Sequence, residues 1–246
     1  MPTGRILLVD DEVDSCRNLQ DILGELGFEV TLAHNGKQAL EKAQSQSFDL
    51  VLLDLKMPDM DGISVFRAIR KLRSATVGII VTAYAEHDTE REALSAGAYR
   101  VLAKPVDISK LLRLVESVLE QPLVMIVDDD TDLCRNMWDI LRSQGYRVGL
   151  ARDEKEAERC LGTGDYCVVL IDMKLPNSSG TEVFHQVRQN HPGARTIMIT
   201  GFRDEMLQQV DQALREGADA VCYKPFDIPG LLGTLRTLVG NKKEAR

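Results

Sequence analysis

Two sets of five polar residues stand out in this sequence, each gathered at the ends of apolar runs. The first is Asp10-Asp11, Asp54, Thr82 and Lys104; the second is Asp128-Asp129, Asp172, Thr200 and Lys224. Three carboxylates held close together repel one another and call for a cation. Oxygen ligands favour a hard ion, and Mg²⁺ is the one that keeps waters a phosphate can displace. A carboxylate can also act as a nucleophile towards phosphorus. Phosphoryl transfer then asks little of a protein beyond positioning and charge neutralisation. The cation and the lysine would neutralise, and the threonine hydroxyl would donate to a phosphoryl oxygen. Taken singly, each residue has an ordinary explanation. Acid pairs flank helix starts, where Asp14 or Asp132 could cap; a Thr after a strand is usually a turn residue, and a Lys before Pro is usually solvated. A lone Asp after Leu-Val-Leu-Leu is harder to dismiss, because burial without a partner is costly. Recurrence of the whole set favours the functional reading.

That recurrence is a duplication of the chain. Sliding the sequence by 118 lays Ile6–Arg70 over Val124–Arg188 without a gap, with 25 identities in 65 positions. Cys16-Arg17-Asn18 falls on Cys134-Arg135-Asn136, Pro58 on Pro176, and Gly62 on Gly180. After Thr200 the offset becomes 120, so the second copy carries two extra residues before Gly217, in a longer loop or helix. One pair of copies at this period is a domain duplication rather than a solenoid. The expected domains are 1–120 and 121–240, followed by a polar tail at 241–246.

Within each copy, short apolar runs alternate with stretches of helical period. Ile6–Val9, Val30–Leu32, Leu50–Leu53, Val77–Val81 and Val101–Leu102 are nearly continuous apolar runs. Such runs read as strands of a parallel sheet covered on both faces. Val13–Leu26, Ile63–Leu72 and Ile108–Leu119 repeat apolar residues at three and four, as amphipathic helices do. Five strand–helix units predict a doubly wound α/β domain, twice over. Functional groups in such sheets gather at the carboxyl ends of the strands, where all ten polar residues fall. Glu120-Gln121-Pro122 joins the copies with no Gly/Ser-rich tether, and Gly240 reads as the stop of the last helix.

Composition narrows the function classes. In 246 residues, 30 basic against 38 acidic side chains give a formal charge of −8. Nucleic-acid binding draws on a surplus of Lys and Arg, so no nucleic-acid partner is expected. The amino terminus reaches acid after four consecutive apolar residues, too few for a signal peptide or a membrane span. Five scattered cysteines without a framework read as reduced thiols. The expected location is the cytoplasm. The four histidines read as surface residues, and Trp138, in the helical slot of Gln20, reads as peripheral, on the core's rim or at an interface.

Both copies resemble the CheY-like receiver domain of two-component response regulators. The resemblance is carried by LLVDDE (7–12), LVLLDLKMPDMDG (50–62), IIVTA (79–83) and AGAYRVLAKPV (96–106). In the second copy it is carried by MIVDDD (125–130), VVLIDMKLPNSSG (168–180), IMITG (197–201) and EGADAVCYKPF (216–226). The fold implied is two flavodoxin-like (βα)5 doubly wound parallel-sheet domains in tandem. Asp54 and Asp172 would accept a phosphoryl group from a histidine kinase or a histidine phosphotransfer protein. Asp10, Asp11, Asp128 and Asp129 would hold Mg²⁺, with Asp54, Asp172 and the backbone oxygens of Lys56 and Lys174. Lys104 and Lys224 would pair with phosphoryl oxygens, Thr82 and Thr200 would move to bond them, and the bonds before Pro105 and Pro225 would be cis. Two departures matter. The aromatic that many receivers place three residues before the Lys is Val101 here and Val221 in the second copy. Asp59-Met60-Asp61 is replaced by Asn177-Ser178-Ser179. The two domains are thus expected to differ in partner or kinetics.

The expected function is that of a phosphorelay response regulator, not an enzyme, acting on a downstream protein target. A homodimer through the last helices is compatible with the sequence. One alternative is an interaction scaffold that is never phosphorylated. Another is a haloacid-dehalogenase-like phosphatase, suggested by Asp128-Asp129-Asp130-Thr131, but Asp10-Asp11-Glu12-Val13 lacks that pattern and Asp172 would have no role.

Overall fold

The computed structural model describes residues 4–83, 87–176, 179–201 and 207–243. It divides into two units, 1–121 and 122–246, each built on its own five-stranded sheet. In domain one the order is β1 (Arg5–Val9), α1 (Val13–Glu25), β2 (Glu29–Ala33), α2 (Gly36–Ser45), β3 (Leu50–Asp54), α3 (Gly62–Leu72), β4 (Val77–Thr82), α4 (His87–Ser95), β5 (Arg100–Ala103) and α5 (Ile108–Leu119). Domain two repeats it with β6 (Leu123–Val127), α6 (Thr131–Ser143), β7 (Arg147–Ala151), α7 (Glu154–Leu161), β8 (Val168–Asp172), α8 (Gly180–Asn190), β9 (Arg195–Thr200), α9 (Leu207–Arg215), β10 (Ala220–Tyr223) and α10 (Ile228–Lys243).

Every ladder is parallel, and the strand order is β2-β1-β3-β4-β5 in one sheet and β7-β6-β8-β9-β10 in the other. This is the flavodoxin-like order, whose switch point lies between the first and third strands. The central strands are apolar throughout because both of their faces are covered. In domain one, alternate residues supply opposite cores. Leu7, Val9, Val51, Leu53 and Ile80 face one cluster with Phe66 of α3, whereas Ile6, Leu8, Leu52, Ile79 and Val81 face another with Leu23 of α1 and Leu111 of α5. The period of two along the strand therefore serves two cores at once.

Helix starts are set by short polar side chains. Asn35, Asp61 and Asp107 each accept a hydrogen bond from the backbone N–H three residues on, satisfying a donor that the helix leaves open. Ser179 and Glu182 form a reciprocal capping box on α8. After α1 and α6 the chain reverses at Gly27 and Gly145, with φ of 90° and 82°, a region that glycine enters without a Cβ penalty.

Three details differ from the sequence reading. Trp138 is buried in domain two's core, with 6% of its surface exposed, and the Arg142 guanidinium lies 4.3 Å from its ring centroid. In domain one the same slot holds Gln20, whose amide donates to the Val30 carbonyl at 3.1 Å, so one position serves packing in one copy and a hydrogen bond in the other. The last helix passes through Gly240 to Lys243 and takes in the start of the predicted tail, because a helical glycine costs only about 1 kcal/mol. The two extra residues expected after Thr200 fall on a stretch that includes 202–206, which lie outside the described residues. The cap of α6 is Asp130, not Asp132, and Glu12, at the matching place before α1, makes no side-chain cap.

Candidate functional site

The carboxyl ends of β1, β3, β4 and β5 bring the predicted set together. Asp10 follows β1 directly, Asp54 closes β3, Thr82 closes β4 and Lys104 follows β5. Ligand oxygens of Asp10, Asp11 and Asp54 all lie within 4.8 Å of one another, and those of Asp128, Asp129 and Asp172 do the same. In each triplet the outer two acids are buried and the middle one is exposed.

The lysine spans the buried pair. Lys104 Nζ lies 2.8 Å from Asp10 Oδ2 and 2.5 Å from Asp54 Oδ2. Lys224 Nζ lies 2.7 Å from Asp128 Oδ2 and 2.6 Å from Asp172 Oδ2. The second oxygen of each acid is held by backbone: Asp10 Oδ1 accepts from Glu12 N–H and Asp54 Oδ1 from Lys56 N–H. Domain two repeats both bonds, from Asp130 to Asp128 and from Lys174 to Asp172. The lysine's own backbone N–H donates to the threonine carbonyl at 2.8 Å, Lys104 to Thr82 and Lys224 to Thr200. Thr82 is fully buried and Thr200 nearly so. The Lys104–Pro105 and Lys224–Pro225 bonds are cis, as expected.

Burial and charge oppose each other here. Burial alone would draw the Lys104 and Lys224 pKa values down, but hydrogen bonds and charge from two carboxylates each outweigh it and hold both ammonium groups above their ordinary value. Burial pushes the Asp128 carboxyl up, and the neighbouring Asp172 charge adds to this, despite the Lys224 contact. One lysine therefore does not neutralise three acids, and the donor set is all oxygen. That chemistry fits a hard divalent cation better than a soft one.

Lys56 and Lys174, the predicted backbone ligands, sit two residues beyond the central Asp on loops closed by isolated bridges to Asp61 and Ser179. Val101 and Val221 lie beside Ile80 and Met198 on the edge strands, so no aromatic ring occupies those positions. Of Asn177-Ser178-Ser179, the first two lie outside the described residues.

Three contributors were missed by the sequence reading. A Cβ on Gly62 would stand 2.2 Å from the Asp54 carbonyl oxygen, and one on Gly180 would stand 2.1 Å from that of Asp172. These glycines let the following helix start directly behind the central acid; their identity between copies was the available signal. The buried thiols of Cys16 and Cys134 meet the carbonyls of Asp10 and Asp128 at 3.4 and 3.3 Å, and burial pushes their pKa values to about 11 and about 12. They are packing groups under the acid pair rather than nucleophiles. Asp59 accepts from the N–H groups of Gly36 and Lys37, tying the loop after β3 to the start of α2; the first of these bonds holds its carboxyl below the usual value.

Comparison with known proteins identifies a family that shares this fold and its acid pocket. The response regulator receiver domain family matches residues 6–116 and again 124–236. A response regulator receiver protein of Anaeromyxobacter sp. (strain Fw109-5) is 31% identical over 234 residues, which cover 95% of this chain and 94% of that one. The transcriptional regulatory protein ZraR of Escherichia coli (strain K12) is 44% identical over 114 residues, 46% of this chain and only 26% of its own length. Among solved structures, a CheY-like receiver domain protein from Methanospirillum hungatei JF-1 is 35% identical with a TM-score of 0.47, covering 48% of this chain and 94% of that one. The chain belongs to the response regulator receiver domain family of two-component systems and carries that domain twice. Among the described residues, no helix is long and apolar enough to cross a membrane.

Proposed function

We propose that both domains are phosphoacceptors, with Asp54 and Asp172 each taking a phosphoryl group from a phosphohistidine in a Mg²⁺-dependent reaction. The observation that carries this reading is the repetition of one constellation: three acids within 4.8 Å and a lysine across the buried pair, in both domains. The central Asp carboxylate would attack phosphorus as the phosphorus–nitrogen bond to the donor imidazole breaks, and that nitrogen takes up a proton. Bound Mg²⁺, held by Asp10, Asp11, Asp54 and the Lys56 carbonyl, or by their counterparts Asp128, Asp129, Asp172 and Lys174, would supply positive charge to the phosphoryl oxygens. Lys104 or Lys224 adds an ammonium that already sits on the accepting carboxylate. Thr82 or Thr200 lies one strand away, its carbonyl bonded to that lysine's N–H, and on this reading its hydroxyl would move to donate to a phosphoryl oxygen.

The phosphodonor partner on this reading is a histidine kinase or histidine phosphotransfer protein, and the output is a changed contact with a downstream protein in the cytoplasm rather than turnover of a substrate. The phosphatase alternative is disfavoured by Asp130. Its side chain caps α6, with Oδ1 accepting from Asp132 and Leu133 N–H, which gives that carboxylate a structural role. The test is intact-mass counting after incubation with Mg²⁺ and a small phosphodonor. The expected result is two phosphoryl groups on the unmodified chain and one on each of Asp54→Asn and Asp172→Asn. No incorporation, with Mg²⁺ binding separately confirmed, would leave the scaffold reading.

A further inference from the structure

Domain one contains a cavity of about 560 Å³ between α1 and α5 that opens onto the acid site. Its walls are mostly apolar, with Leu19 and Ile22 of α1, Leu52 of β3, Val106, and Ile108 and Leu111 of α5, and α1 also presents Ser15 and Asn18. Its polar end is formed by Asp10, Glu12, Asp54 and Lys104. This volume falls within the range of about 300–1,000 Å³ typical of small-molecule sites, as does the combination of apolar walls with a few convergent polar groups. Ile108, at the α5 side of the cavity, leaves 37% of its surface exposed.

The charge at the polar end selects the ligand. Three carboxylates stand against one ammonium, and Lys104 is already engaged by two of them. The residual negative charge favours a cationic, hydrogen-donating end and repels an anion. Domain two is built differently at the same positions. Ser15 is replaced by Leu133 and Val106 by Phe226, and both larger side chains pack against domain two's core.

From this geometry we infer that domain one binds a small molecule with an apolar, ring-sized body and a single cationic end, which the corresponding position in domain two does not accept. The inference does not depend on Asp54 being phosphorylated. The probe is 2-phenylethylamine, titrated into the full chain with methyl NMR detection and compared with phenylacetate, which has a similar body and the opposite charge. The expected result is shifts of the Leu19, Ile22, Val106, Ile108 and Leu111 methyls, without equivalent shifts in domain two. Phenylacetate should bind at least about tenfold more weakly, and saturating Mg²⁺ should weaken the amine. The Ser15→Leu/Val106→Phe variant, which copies domain two's lining, should also lose about tenfold. Equal binding of amine and carboxylate, equal shifts in both domains, or indifference to Mg²⁺ would overturn the inference. So would unchanged affinity in a variant whose circular dichroism shows a native fold. If that variant does not fold, the charge and domain comparisons on the unmodified chain decide.

Discussion

At the residue scale, the two acid sites are charge-imbalanced clusters held by one lysine each, and removing that lysine should show the imbalance. Lys224 is mostly buried and Asp128 wholly so. Breaking a buried pair costs about 3–5 kcal/mol, and the partial exposure of Lys224 reduces this to roughly 2–3. Lys224→Met should therefore lower domain two's stability by that amount in urea with a chelator present, and Mg²⁺ should restore part of it. The sign with pH follows from the raised lysine pKa. The stabilisation is complete below the unfolded value of 10.5 and is lost as pH rises through the higher folded value. Asp128 behaves in the opposite sense. Its carboxyl pKa is raised by burial, so its ionised form costs stability at neutral pH, and the cost is relieved as pH falls through the folded pKa. Asp128→Asn should then stabilise domain two in chelator while abolishing the Mg²⁺-dependent gain. A variant less stable than the unmodified chain in chelator would refute that assignment.

Positioning becomes visible at the element scale. Helices α3 and α8 begin against the carbonyl of the central acid because Gly62 and Gly180 have no Cβ to keep them away. Gly62→Ala should cost about 1–3 kcal/mol, as overpacking against backbone does, and should slow Asp54 phosphorylation with little effect on Asp172. Helix α6 holds the second element-scale prediction: Trp138→Ala should cost about 3–5 kcal/mol in domain two, read by urea unfolding. An effect under about 1 kcal/mol would mean the ring packs loosely. The same elements mark what the sequence made legible. Strand ends and the acid, threonine and lysine positions followed from apolar runs ending in polar residues, a pattern fixed by two-sided burial of a parallel sheet. Trp138 was misplaced because its slot is set by tertiary packing, and its counterpart Gln20 satisfies the slot by a hydrogen bond. Asp130 was overlooked as a cap because three consecutive acids precede α6 and composition does not rank them. Gly240 reads as a stop because glycine favours helix ends, yet α10 continues through it to Lys243. The cavity beside Asp54 was illegible since it arises from Ser15 and Val106, small residues far apart in sequence.

For the whole molecule, the duplication gives each site its own sheet and its own core. Among the described residues, the apolar clusters around β1 and around β6 draw on residues of their own domain. A domain of about 120 residues buries roughly two-thirds of its unfolded surface, enough for independent stability. Residues 1–121 and 122–246, expressed separately, should therefore each fold cooperatively, each with Mg²⁺-dependent stabilisation. The two fragments' urea m-values should sum to about the total m of the full chain, since m follows exposed area. Each fragment should also accept one phosphoryl group from a small phosphodonor, Asp54 in the first and Asp172 in the second. If one fragment failed to fold while the full chain remained stable, that domain would depend on its neighbour for stability. The two acid pockets would then be one coupled unit rather than two inputs, and substitutions at Lys224 or Gly62 would be expected to alter phosphorylation in both domains.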